Sequence, residues 1–277
     1  MRFGWDFEAY AAQETWNPLA RLALRPLVER VRRWDARTAD RPTAYLANSS
    51  AIARRIERCY GVPSTVVHPP IEVQRFAPDT ERGDFHLVVS RLTAYKRIDI
   101  AIEAFNQLQR PLVIIGDGPA RAALEKLAGP TIRFLGRCDD REVASHYARC
   151  AALIFPGEED FGLTPLEANA SGRPVIAYAA GGALDTIRQG MTGIFFQDQT
   201  ATALGEALLT CDAVPWDSAA LRRHAETFSE ENFRIRMGNA INAIAPRTAW
   251  RSAPDFDDQR TVGHGDDERA DALRRSG

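Results

Sequence analysis

From residue 85 onward the chain alternates short apolar runs with longer stretches whose apolar positions recur every three or four residues. The runs "FHLVVS", "PLVIIGDG", "TIRFLG", "AALIFPG", "PVIAY" and "TGIFFQ" are short and nearly continuously apolar, which predicts strands buried on both faces. Between and after them, "RIDIAIEAFNQL", "ARAALEKLA", "DDREVASHYARC", "PLEANAS", "GGALDTIRQG" and "ATALGEALLTC" predict helices. Strands and helices in strict alternation imply the α/β class with a doubly wound parallel sheet, in which ligands bind outside the carboxyl ends of the strands.

Upstream, "TAYLANS" and "STVVHPP" read as two short strands around the helix "AIARRIERCYG", with Ser49 and Ser50 placed to cap it and Gly61 to end it. This is a second, smaller strand–helix–strand unit. The expected organisation is a partial N-terminal unit over 1–70, a polar linker over 71–84 and a complete Rossmann-like unit over 85–228. A closing amphipathic helix follows over 229–246, opened by Ser229, and then a tail over 247–277 too poor in apolar residues to fold.

Residues 17–41 carry Leu19, Leu22, Leu27, Val28 and Val31 at helical spacing, with Pro26 placed to kink or divide the helix. Seven arginines face three acids between Arg21 and Arg41, a local basic patch. It reads either as a solvated face whose arginines cover apolar surface or as a peripheral contact, through residues 21–41, with anionic lipid headgroups. Trp5, Phe7, Tyr10 and Trp16 crowd the chain start, where packing partners are expected to be missing.

Composition narrows the function classes. With 35 basic and 37 acidic residues, the formal charge of −2 does not suggest a nucleic-acid partner. The four cysteines form no C-x-x-C pair and the five histidines no ligand pair, so neither a metal site nor a disulfide framework is expected. No run of about 18 apolar residues predicts a membrane span, and the chain start lacks the pattern of a secretory signal, which places the expectation in the cytoplasm.

Candidate chemistry collects at the strand ends. "SRLTAYKRID" puts Arg91 and Lys96 on one loop, a planar fork and a point charge suited to adjacent phosphates. Gly116 and Gly118 lie in a strand-to-helix turn, and Gly181 and Gly182 at a helix start whose N–H groups could face an anion. In "FPGEEDFGLTPLEANASG", Thr164, Pro165 and Glu167 match a capping box with proline at the first helical position, while Glu159 has no evident structural duty. Carboxylates accept hydrogen bonds from vicinal hydroxyls, so Glu159 and Glu167 beside Arg91 and Lys96 suit a diphosphate held between two sugar-like ends, a nucleotide sugar.

These residues, with "IIGDGPARAALEKLA", "TIRFLGRCDDREVASHYARCAALIFPGEEDFGLTPLEANASGRPVIAYAAGGALDTI" and "MTGIFF", resemble the retaining glycosyltransferases of family 4 (glycosyltransferase group 1) over about residues 41–245. The resemblance implies the GT-B architecture of two facing Rossmann-like domains. It implies that Arg91 and Lys96 hold the donor diphosphate, Glu159 the donor sugar and Glu167 the ribose. The amides of Phe161, Gly162 and Leu163 would face the sugar and phosphates, and the base would sit near Arg137 and Cys138.

No metal or cofactor is implied. "MRFGWDF", "YLANSSAIARRIERCYG" and "VVHPPIEVQRF" look like the bacterial branch that adds mannose, from GDP-mannose, to saccharide or lipid-linked acceptors of surface polysaccharide or lipopolysaccharide. That branch also implies that most of the N-terminal, acceptor-side domain is absent from this sequence. Two expectations follow: retaining hexosyl transfer with this donor or a UDP-sugar, or a noncatalytic nucleotide-sugar-binding module.

Overall fold

The computed structural model describes residues 18–79 and 83–244, together with Trp5, Phe7 and Glu81. The expected tail over 247–277, Tyr10 and Trp16 lie outside the described residues.

The first helix, α1 (Pro18–Arg37), runs through Pro26 as one element and is not divided there. Strand β1 (Leu46–Ala47), helix α2 (Ser50–Tyr60) and strand β2 (Thr65–Val66) follow, the two strands pairing in parallel. Ser49 caps α2 through its hydroxyl, which accepts from Ile52 N–H at 3.1 Å, and Gly61 closes it in the left-handed conformation.

The larger sheet holds six parallel strands: β3 (His86–Val89), β4 (Leu112–Ile115), β5 (Ile132–Gly136), β6 (Leu153–Phe155), β7 (Val175–Tyr178) and β8 (Gly193–Phe196). Their order is β5-β4-β3-β6-β7-β8, so the winding reverses between β3 and β6. Helices α3 (Ile98–Leu108), α4 (Arg121–Leu127), α5 (Asp140–Arg149), α6 (Leu163–Ala170), α7 (Ala183–Thr186), α8 (Ala201–Asp212), α9 (Ser218–Glu226) and α10 (Glu230–Ile244) follow in chain order.

Alternate residues of each strand supply two cores. Leu112 and Ile114 of β4 pack with Ile98, Ile102, Phe105, Leu204 and Leu208, whereas Val113 and Ile115 of the same strand pack with Tyr147, Leu166 and Phe228. Each such fully buried aliphatic side chain is worth about 1.5–3 kcal/mol relative to exposure. Burial on both faces is why the strand sequences read as continuous apolar runs.

Two expectations are corrected. The segment read as a polar linker is built into the second core: Ile71, Val73 and Phe76 are buried, and Ile71 N–H donates to Phe228 O at 2.9 Å. Arg222 also reaches back from α9 to the carbonyls of Phe76 (2.6 Å) and Ala170 (2.8 Å). Every second or third residue of 71–76 is apolar, a short signal that its polar neighbours conceal.

The aromatics at the chain start do have partners where they are described. Phe7 is buried against Val28, and Trp5 donates its indole N–H to Asp35 at 2.7 Å while meeting Tyr60 edge-on. Tyr60 donates to the same carboxylate at 2.7 Å, and its own pKa is pushed up to about 12, first by burial and then by that bond. The outward side of α1 is different, since Leu22, Leu27 and Trp34 are exposed, 61%, 57% and 58% respectively.

Candidate active site

The reversal of winding opens a cleft at the carboxyl ends of β3 and β6, with a volume of about 1040 Å³. Arg91 and Lys96 reach it from the segment after β3, Gly116 and Gly118 from the turn after β4, and Arg137 and Cys138 from the turn after β5. Glu159, Phe161, Gly162 and Leu163 line the opposite wall, between β6 and α6. Asn48 and Pro69, from the unit of β1 and β2, close the remaining side. Ten of the thirteen residues expected at the site thus border one cleft, and Glu167, Gly181 and Gly182 do not.

Each of those three has another placement. Helix α6 starts at Leu163 with Gly162 as its N-cap and no side-chain cap bond, so the capping box expected of Thr164 and Glu167 does not form. Gly162 has φ 87° and stands at the N-cap, so the helix starts two residues earlier than expected and Thr164 lies inside it. Glu167 instead accepts from the hydroxyl of Tyr147 at 2.8 Å. Burial raises the Glu167 carboxyl above its ordinary range, an effect that the Tyr147 bond and the nearby Arg75 only partly offset.

Gly181 and Gly182 support the loop after β6. The N–H of Gly182 is taken by the carbonyl of Glu159 at 2.8 Å, and a Cβ at Gly182 would stand 2.2 Å from the Cα of Phe161. Gly116 is likewise required by close approach: with φ 132°, it would bring a Cβ to 1.9 Å from the Ser90 carbonyl. The N–H of Gly118 is held by the carboxylate of Asp117 at 2.8 Å.

Within the cleft Lys96 and Glu159 form an ion pair, both side chains largely buried. An arriving anion would therefore compete with Glu159 for Lys96. At the far end, burial first, and then Glu142, push the Cys138 thiol up, so it is a neutral, weakly polar wall at neutral pH. The start of α6 borders the cleft at Gly162, Leu163 and Thr164, and no side chain caps its first-turn N–H groups, which lack helical partners. A cationic loop, a helix start and a paired carboxylate make a site that can hold an anionic group next to a hydroxylated one. Among the described residues no group of His, Cys, Asp and Glu side chains could hold a metal ion.

Several contributors carry no sequence signal. Asn48, Pro69, Ser90, Asp117 and Val143 line the cleft, and Tyr147 reaches Glu167 across 20 residues of sequence.

A family model described as "Glycosyl transferases group 1" matches residues 71–211. D-inositol 3-phosphate glycosyltransferase of Geodermatophilus obscurus is 30% identical over 245 residues, 75% of this chain and 54% of that protein. The Mycobacterium tuberculosis protein of the same name is 28% identical over 231 residues, 72% of this chain and 48% of its own. The chain spans about half the length of these curated relatives.

Among solved structures, Anabaena HepE in complex with UDP and glucose superposes with a TM-score of 0.68 at 19% identity, covering 76% of this chain and 66% of that one. Sucrose-phosphate synthase from Thermosynechococcus elongatus gives 0.68 at 22%, covering 87% and 65%. At these identities the likeness is one of fold, and it agrees with the expected GT-B type.

Proposed function

The chain belongs to the glycosyl transferases group 1 family, and on that premise we propose that its cleft binds a nucleotide sugar and transfers the hexosyl group, with retention, to a saccharide or lipid-linked saccharide acceptor. The observation that carries this reading is the meeting of Arg91, Lys96 and Glu159 in one cleft at the reversal of the winding.

In this reading the donor diphosphate lies along Arg91 and Lys96, which stabilise the charge that grows on it as the sugar leaves. Glu159 takes hydroxyls of the sugar. The bond from the anomeric carbon to the diphosphate breaks while the acceptor oxygen bonds on the same face. The acceptor's proton passes to a diphosphate oxygen.

GDP-mannose is the donor favoured by the resemblance of "MRFGWDF", "YLANSSAIARRIERCYG" and "VVHPPIEVQRF" to the mannosyltransferase branch. UDP-sugars form the competing set, supported by the UDP and glucose in the HepE complex. A thermal-shift screen over GDP, UDP and their sugars separates them, because a ligand at about 100 times its Kd adds roughly 2.7 kcal/mol of stability. A shift with GDP and GDP-mannose alone fixes the first donor, a shift with UDP compounds alone fixes the second, and no shift with any of them defeats the nucleotide-sugar reading. Transfer by the same chain, read as sugar moved to a saccharide acceptor, separates enzyme from binding module.

The outward side of α1 supports a peripheral contact with anionic lipid: Leu22, Leu27 and Trp34 are exposed among Arg30, Arg33 and Arg37. Among the described residues no helix is long and apolar enough to cross a membrane. Co-sedimentation with vesicles rich in an anionic phospholipid at low salt, lost in Leu27→Glu with Trp34→Glu, is the expected result. Absence of binding by the unsubstituted chain refutes the contact.

A further inference from the structure

The loop that carries Glu159 is held from outside its own Rossmann-like unit. Three consecutive residues are each gripped by a different element. Glu159 pairs with Lys96 from the segment after β3. Asp160 accepts from Arg55 of α2 at 2.9 Å, the two side chains 17% and 33% exposed. Phe161 stacks on the ring of His68, which follows β2, with centroids 5.5 Å apart and planes at 20°. Two of these three grips therefore come from the N-terminal unit.

That unit is anchored on the other side of the same loop. Asp185 of α7 accepts from the backbone N–H of Ser50 at 2.6 Å and stands 3.5 Å from the otherwise unbonded Nε2 of His68. Gly182, one turn before Asp185, holds the carbonyl of Glu159. The start of α2, the end of β2 and the start of α7 thus form a frame around residues 159–161.

From this frame we infer that Arg55 is a positioning residue for the donor sugar: through Asp160 it fixes the backbone that presents Glu159 to the cleft, although it does not itself line the cleft. The inference rests on the proposed nucleotide-sugar reading and adds a residue from the N-terminal unit to it. A half-buried ion pair between two separately folded elements restrains their relative position more than a pair within one helix does. Asp160 is covalently adjacent to Glu159, so displacement of one carboxylate moves the other. Arg91, Gly116, Arg137 and Cys138 belong to other strand ends and stay in place. Loss of Arg55 is therefore felt at the sugar and not at the nucleotide.

The test is isothermal calorimetry of the full chain with UDP and UDP-glucose, and with GDP and GDP-mannose, for the unsubstituted protein, Arg55→Gln, Arg55→Lys and Asp160→Asn. In Arg55→Gln and Asp160→Asn the ratio of the nucleotide-sugar Kd to the matching diphosphate Kd rises about fivefold or more, an effect of the size expected from one partly buried ion pair. Arg55→Lys, which keeps the charge, restores most of the original ratio.

An unchanged ratio in folded Arg55→Gln and Asp160→Asn overturns the inference, as does an equal loss for diphosphate and nucleotide sugar. Should Arg55→Gln not fold, the Asp160→Asn ratio decides. If the unsubstituted chain binds none of the four ligands, it is the nucleotide-sugar reading itself that fails, a result distinct from an unchanged ratio.

Discussion

Replacing Tyr147 by Phe tests the environment of Glu167 with little change of shape. Tyr147 is fully buried, its hydroxyl donates to the Glu167 carboxylate at 2.8 Å, and its ring packs edge-on against Phe76. Phe keeps the ring and that packing. What is lost is one hydrogen bond to a mostly buried carboxyl group, which costs about 1–3 kcal/mol when the acceptor is left without a replacement. For a chain of this size that lowers Tm by roughly 2–4 °C per kcal/mol.

The pH dependence gives the prediction its edge. Burial already raises the folded-state pKa of Glu167 above its ordinary value, and the Tyr147 bond pulls it down. A raised carboxyl favours folding fully below its unfolded pKa, and that contribution is lost as pH rises through the folded value. Removing the hydroxyl raises the folded pKa further, so the cost of Tyr147→Phe is largest when Glu167 is ionised in both proteins and shrinks as pH falls. Urea unfolding at about pH 7.5 and about pH 5, with unchanged m-values, measures it. An equal cost at the two pH values, or none, would show that the hydroxyl does not act through the Glu167 charge.

Lys96→Ala and Glu159→Ala are each expected to lower transfer at least tenfold, about 1.4 kcal/mol of transition-state stabilisation, in proteins that unfold at the normal temperature. A folded Lys96→Ala protein with unchanged turnover would remove Lys96 from the site. Gly182→Ala drives a Cβ into the backbone of Phe161 and is expected to destabilise by about 1–3 kcal/mol, as overpacking does, and to reduce the thermal shift given by the nucleotide sugar. A normal Tm and a normal shift in that variant would show that the loop moves aside freely.

Much of the fold was legible because its signals are local. Strands such as 112–115 are buried on both faces, so their sequences declare themselves without reference to any partner. Ser49 and Gly61 mark the two ends of α2 by the chemistry of capping alone. The cleft followed from topology, since residues just past parallel strands must gather at one edge of the sheet. The misreadings arose where a local pattern met a distant competitor. Thr164, Pro165 and Glu167 satisfy the pattern of a capping box, but Gly162 begins the helix earlier and Tyr147 claims the Glu167 carboxylate. The segment 71–84 reads as a linker because its polar residues outnumber Ile71, Val73 and Phe76, and the core that buries those three is assembled from one face of the sheet with α5, α6 and α9.

The run Glu158, Glu159 and Asp160 shows why such a loop resists reading. On the page it is an acidic cluster before a helix, which the helix dipole favours and which needs no further cause. In the fold, adjacent side chains of the loop point to different neighbours, and those neighbours lie far apart in sequence: Lys96, Arg55 and, for Phe161, His68. The Arg55–Asp160 bond alone spans 105 residues. Arg55 shows no pattern that distinguishes it from Arg54 or Arg58 on the same helix; only the docking of β1, α2 and β2 selects it. On the proposed nucleotide-sugar reading, a loop shaped in this way depends on the joint between the two units, and the residues to vary for sugar preference lie on α2 and after β2 as well as in the loop itself.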